Sequence, residues 1–213
     1  WYEEQALRYF TNIVSSFSKP VKNAVTKLSD VPLEAVAPSH GLVWRNHPRR
    51  IIDLYQQWAC YSGEPGDPGV TLLYSTMYGN TERLMEYIAQ GIADEGVPVS
   101  VFNVAKCSIS EVMPSLWMKR GVMIGAPTYE GKLFPDMVKV LHMALRKHMS
   151  GKLCAGFGSN AWGGGGQRDL KERTDKLNWA HFGNLEFTGA PSNNELLEGR
   201  KFGVEFARAV KAK

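Results

Sequence analysis

A chain of 213 residues that is 44% hydrophobic, 22% charged and 11% aromatic has the composition of an ordinary globular protein, large enough for one sizeable domain plus an appendage. A net charge of +4, without a basic block of five or more, disfavours nucleic acid as a partner, and no apolar run approaches the ~18 residues of a membrane span. Cys60, Cys107 and Cys154 are widely spaced and form no CxxC pair, which disfavours a disulfide framework and makes a reducing cytoplasm the expected setting.

The opening "WYEEQALRYF" is acidic and amphipathic, unlike a signal peptide. It has no initiator Met, so a processed product or a piece of a longer chain is expected. A helical pattern runs through "EEQALRYFTNIVSSF" into "SKPVKNAVTKL", where Ser18 is expected as a cap and Pro20 in the first turn. A short apolar piece, "LEAVAP", ends in Ser39-His40-Gly41, and "PRRIIDLYQQWA" reads as a further helix. About 60 residues barely suffice for a separate core, so residues 1–60 read as the end of something larger.

Residues 61–69, "YSGEPGDPG", hold three Gly and two Pro and read as a linker. Beyond it, strands are expected at 70–75, 97–104, 121–127, 152–158 and 184–190. Helices are expected at 81–95, 108–118, 134–149, 166–177 and 194–211. Five strands alternating with five helices predict a doubly wound α/β domain over residues 70–213, built on a five-stranded parallel sheet. Ligands of such sheets bind beyond the carboxyl ends of the strands, where the strand order reverses. Three loops open on that edge.

The first loop passes from the apolar run "GVTLL" into Ser75-Thr76-Met77-Tyr78-Gly79-Asn80-Thr81 and then a helix with apolar Leu84, Met85, Ile88 and Ile92. Ser75, Thr76, Asn80 and Thr81 supply hydrogen-bond donors, and Gly79 permits close approach to the free N–H groups of the helix start. No Lys or Arg lies in this loop, and neither GxxxxGK[ST] nor GxGxxG occurs, so a compact dianionic monophosphate fits better than a triphosphate or a dinucleotide. In the second loop Pro127 stiffens the chain, Thr128 offers a hydroxyl, Tyr129 a flat ring, and Glu130 and Gly131 complete the turn. In the third, Ser159, Asn160 and Ala161 lead to Trp162 and the run Gly163, Gly164, Gly165. Such glycines between a strand and a helix let backbone reach a ligand. A phosphate at one loop and a planar ring between the other two describe flavin mononucleotide (FMN).

Those motifs resemble a known family. Residues 70–213 resemble the flavodoxin fold, with "YSTMYGNTE" at the FMN phosphate loop and Met77-Tyr78 in the manner of flavodiiron proteins, the A-type flavoproteins. "GAPTYEG" and "FGSNAWGGGG" resemble that family's two isoalloxazine loops, with Asn160 and Ala161 departing from the aromatic and glycine expected before the tryptophan. "APSHGLVWR" resembles the closing motif of the metallo-β-lactamase-like diiron domain that precedes the flavodoxin-like domain, so residues 1–60 would be its C-terminal remnant and His40 one metal ligand.

The resemblance implies an oxidoreductase whose intact form takes electrons from rubredoxin or a flavin- or nicotinamide-linked reductase. It passes them through FMN to a diiron centre that reduces O2 to water or NO to N2O. It also implies a head-to-tail homodimer or tetramer. The family's other metal ligands lie upstream of His40. His47, His142, His148 and His181 are scattered and read as structural, so this chain is expected to hold no tight iron and to contain no catalytic residue of its own. The alternative is a free-standing flavodoxin-like electron carrier without substrate chemistry, for which the "PSHGLVWR" segment has no use. A flavin-dependent quinone reductase also leaves that segment unexplained.

Overall fold

The computed structural model describes residues 1–212. Helix α1 (Tyr2–Tyr9) runs through a π-helical turn (Phe10–Val14) and a 3-10 turn (Ser15–Phe17) into α2 (Ser18–Lys27), and α3 (Arg49–Cys60) precedes the sheet. Then come β1 (Asp67–Tyr74), α4 (Asn80–Asp94), β2 (Val99–Asn103), α5 (Ile109–Met118) and β3 (Lys119–Gly125). A hairpin of β4 (Thr128–Tyr129) and β5 (Lys132–Leu133) leads to α6 (Pro135–Arg146) and β6 (Leu153–Asn160), followed by α7 (Gly166–Asp175), β7 (Ala180–Thr188) and α8 (Asn193–Ala212).

The five long strands form one parallel sheet in the order β2-β1-β3-β6-β7. Leu72 of β1 lies between Val101 of β2 and Met123 of β3, so the chain reverses direction across the sheet at β1 and β3. Side chains alternate between the two faces. Val70, Leu72, Tyr74 and Met123 face α4 and α8, while Leu73, Val122 and Ile124 face the layer holding α5 and α6. Each such buried side chain contributes about 1.5–3 kcal/mol, which is why the central strands read as unbroken apolar runs.

α4 and α8 approach until their backbones touch. A methyl at Gly203 would overlap the Ile88 carbonyl, and one at Gly91 would overlap that of Arg200. Alanine gains about 1 kcal/mol over glycine in a free helix. Overpacking against backbone that cannot yield costs about 1–3 kcal/mol. Gly203→Ala is therefore expected to destabilise the protein, seen as a lower denaturation midpoint; an unchanged or raised midpoint would show that the two helices can move apart.

Residues 1–60 share a core with the sheet domain. Phe10 is fully buried, with ring centroids 5.2 Å from Tyr55, 5.6 Å from Trp58 and 6.3 Å from Trp117 of α5. Trp117 Nε1 donates to Trp58 O at 2.9 Å, Asn12 Nδ2 to Ser110 O at 3.1 Å, and Lys147 Nζ to Asn12 O. The expected cap at Ser18 is not formed. The chain enters α2 directly from a helical turn, with Phe17 rather than an extended residue before it, and Ser18 Oγ donates back to Ser15 O at 2.7 Å. Pro20 does lie in the first turn of α2. The segment expected as a linker loses its last residues to β1, whose pairing with β3 already begins at Asp67 and Lys119.

Lys152 is buried just before β6. Its Nζ donates to Trp117 O at 2.9 Å, near the C-terminus of α5, and to Pro65 O at 3.1 Å. Burial pushes its pKa down to about 7, Arg120 adding to the effect and Asp67 opposing it. An unfolded lysine takes up its proton near 10.4, so between about 7 and 10.4 the unfolded chain holds more protons and stability rises with pH through that window. Urea midpoints should climb from pH 7 to 9 more steeply in the native protein than in Lys152→Met; parallel slopes would show that the ammonium is not strained by burial.

Candidate functional site

The sheet's carboxyl edge carries a cleft of about 720 Å³. Thr76, Met77, Tyr78, Asn80 and Thr81 form one wall and Pro127 to Gly131 a second. Ser159 to Gly164 form the third. Of the residues expected from the sequence, Ser75, Gly79 and Gly165 are absent from the lining and shape it from behind.

The first wall is the start of α4. Gly79 takes the left-handed conformation, φ 86°, and no side chain caps the helix. The Gly79 N–H is spent on Thr76 Oγ1 at 3.0 Å, which folds the loop back and keeps that hydroxyl's own proton free to donate. Arg83 N–H bonds to Gly79 O, so the first-turn N–H groups of Asn80, Thr81 and Glu82 have no earlier carbonyl in the helix. Ser75 Oγ is buried without a hydrogen-bond partner, a donor not committed elsewhere. Glu82 in the same turn would repel an anion, and the Tyr74 hydroxyl donates to it at 2.6 Å. Burial and the Glu82 carboxylate together raise the Tyr74 pKa. No Lys or Arg lines the cleft among the described residues, so neutral donors and the positive end of α4 supply the attraction for an anion.

The second wall is the β4–β5 hairpin, whose two-residue turn is Glu130-Gly131, both at positive φ (50° and 71°) as a primed hairpin turn requires. Tyr129 is held edge-on to Phe134 at 5.9 Å. The third wall is the end of β6 and the glycine run. Its Trp162 is fully exposed and Tyr78 across the cleft is 85% exposed. Large aromatics left in water around one cleft mark a ligand surface. Gly166 N–H donates to Thr128 Oγ1 at 3.2 Å, which joins the second wall to the third.

Gly189, after β7, also lines the cleft, and its N–H donates to Asn160 O at 3.0 Å. The sequence reading missed it, although a glycine at the end of a fifth strand on the same edge was an available signal. The arrangement fits FMN: uncommitted donors at a helix N-terminus suit the phosphate, and a cleft with exposed aromatics suits a flat ring.

His40 lies elsewhere, exposed in the loop closed by the Val36–Trp44 bridge, its ring 5.5 Å from Tyr9. A two-iron centre takes several carboxylate and imidazole ligands. No group of three or more His, Cys, Asp or Glu side chains able to share a metal occurs among the described residues, so they do not fit one. His47 and His148 occupy positive-φ positions (57° and 53°), where histidine is tolerated, and serve as turn residues. His181 begins near the edge of the sheet on β7, with Nδ1 buried and unpaired, and burial lowers its pKa with Lys171 adding to the effect. No helix among the described residues is long and apolar enough to cross a membrane.

Comparison with known proteins gives the same picture. The flavodoxin family matches residues 72–203. The anaerobic nitric oxide reductase flavorubredoxins of Shigella flexneri and Escherichia coli K12 are 32% identical over 209 residues. That alignment takes in 96% of this chain and 43% of each relative, so the chain spans less than half their length. The rubredoxin oxygen:oxidoreductase of Desulfovibrio gigas superposes with a TM-score of 0.89 over 99% of this chain and 53% of its own, at 22% identity. The flavodiiron protein of Giardia intestinalis superposes equally well, at 0.89 over 97% of this chain and 51% of its own, at 21% identity. At those identities the superpositions speak for the fold.

Proposed function

We infer, from the premise that this chain belongs to the flavodoxin family and is the flavodoxin-like part of a flavodiiron protein, that its cleft binds FMN and relays electrons for an oxygen or nitric oxide reductase. The observation that carries the reading is the meeting of three strand-end loops around one cleft, with free donors on one wall and exposed aromatics on the others. Bound there, FMN would supply one- and two-electron transfer. Thr76, Asn80, Thr81 and the start of α4 hold the phosphate. Tyr129 and Trp162 flank the ring and exclude water from it, and Tyr78 lies beside the phosphate wall. The hairpin and the glycine run set how far apart the ring walls stand.

Reduction of O2 to water or of NO to N2O belongs, in this reading, to a diiron centre whose ligands this chain supplies at most through His40. The electron donor is a rubredoxin or a flavin- or nicotinamide-linked reductase, and the intact protein is a head-to-tail homodimer or tetramer. Domain limits follow the same reading, with the connection shortened by the start of β1: 1–60 as the remnant of the diiron domain, 61–66 as the connection, and the chain from Asp67 onward as the FMN domain.

The test is gas consumption by the protein isolated from its own source, driven by a reduced donor, with flavin removed and then restored. Flavin-dependent consumption of O2 or NO is expected. A preparation that accepts and passes electrons but consumes neither gas would make it a carrier instead.

A further inference from the structure

The ring-side walls are joined by a buried carboxylate that does not itself line the cleft. Asp169, in the first turn of α7, is 5% exposed. Its Oδ2 accepts the Leu133 N–H at 3.1 Å, on the return strand of the hairpin that carries Tyr129. The same oxygen accepts Arg173 Nε at 2.9 Å, one turn along α7. Lys132 reaches only to 4.0 Å of the other oxygen and is mostly exposed, so it adds little. The Leu133 side chain itself is buried in the core, which anchors the return strand on that side.

α7 is also the helix on which the glycine run after Trp162 ends. Its first residue donates to Thr128 Oγ1, and Gly165 lies against the Gly131 carbonyl so closely that no side chain would fit between them. Burying the Asp169 carboxylate is costly, and an apolar side chain of the same volume would often serve stability as well. A charge-assisted bond between two loops contributes direction instead. Burial alone would raise the Asp169 pKa. The Arg173 and Leu133 hydrogen bonds, with both cations, outweigh it and hold the group below the ordinary carboxylate range, so it is a full charge at neutral pH.

We propose that Asp169 is a positioning residue for the flavin ring: it locks the hairpin bearing Tyr129 to the helix that anchors the Trp162 loop, and so sets the separation of the two ring walls. This rests on the reading of the cleft as an FMN site. The lock touches neither Thr76 nor Thr81, so its loss falls on the ring half of the ligand alone.

The full chain, freed of flavin, is titrated with FMN and with riboflavin, following quenching of flavin fluorescence and the visible circular dichroism of the bound flavin. Asp169→Asn should weaken FMN and riboflavin by the same factor, about tenfold, leaving their affinity ratio unchanged and altering the dichroism. Arg173→Gln, a change at a partly exposed side chain, should act in the same direction and less strongly, and it decides the matter if Asp169→Asn fails to fold. Riboflavin affinity and dichroism equal to those of the native chain in the folded variants overturn the inference while the FMN reading stands. A native chain that binds no FMN overturns both.

Discussion

Replacing both Thr76 and Thr81 by alanine should weaken FMN binding by on the order of 100-fold while leaving riboflavin, which lacks the phosphate, nearly unaffected. Hydrogen bonds to a charged group are worth about 1.5–3 kcal/mol each, and the two hydroxyls stand at the one helix start in the cleft with no competing cation. Thr76 has a second duty, since its Oγ1 accepts the Gly79 N–H that folds the loop. Thr81 is 1% exposed, so Thr81→Val, which keeps the volume and removes the hydroxyl, separates lost hydrogen bonding from lost packing. Titration of both flavins reads the result. Equal losses for FMN and riboflavin would move the two threonines to the ring side, and no loss would remove the phosphate from this loop.

The second large effect is at Gly165. Its φ of 135° is closed to side chains, and a methyl there would overlap the Gly131 carbonyl, which is backbone on both sides. Gly165→Ala should push the third wall off the second, weaken riboflavin and FMN together and destabilise the fold by about 1–3 kcal/mol. Gly163 provides the comparison within the same run. A methyl there meets nothing within 4 Å, so Gly163→Ala should leave the denaturation midpoint unchanged. Similar behaviour of the two variants would contradict the contact between the walls.

The contrast between Gly163 and Gly165 also shows where sequence reasoning stops. Four successive glycines announce a loop that must approach something closely. Which of them is sterically required depends on Gly131, 34 residues earlier, and on how the hairpin folds. The strands of the sheet centre were legible because burial on both faces leaves unbroken apolar runs, as in β1 and β3. β7 was expected at 184 and begins at Ala180, because an edge strand with few buried residues and a register break opposite Cys154 and Ala155 carries no apolar run. The β4–β5 hairpin has strands of two residues, too short for any periodicity, and only the Glu130-Gly131 pair hints at it.

The loop from β1 into α4 was legible, since strand, turn and helix start are local in the chain. Asp169 was not. A charged residue inside a polar helix segment reads as solvated, and its partner Leu133 N–H lies 36 residues away. The packing of Phe10 against Trp117 was hidden for the same reason: aromatic residues in an amphipathic helix state that a face is buried, not what buries it.

Titration of the flavin-free native chain with FMN and riboflavin tests the FMN site most directly. Saturation at one FMN per chain, with riboflavin weaker by about 100-fold or more, is the predicted result, because the phosphate takes its own set of donors at the start of α4. The absence of saturable FMN binding, or riboflavin binding as tightly as FMN, would contradict it.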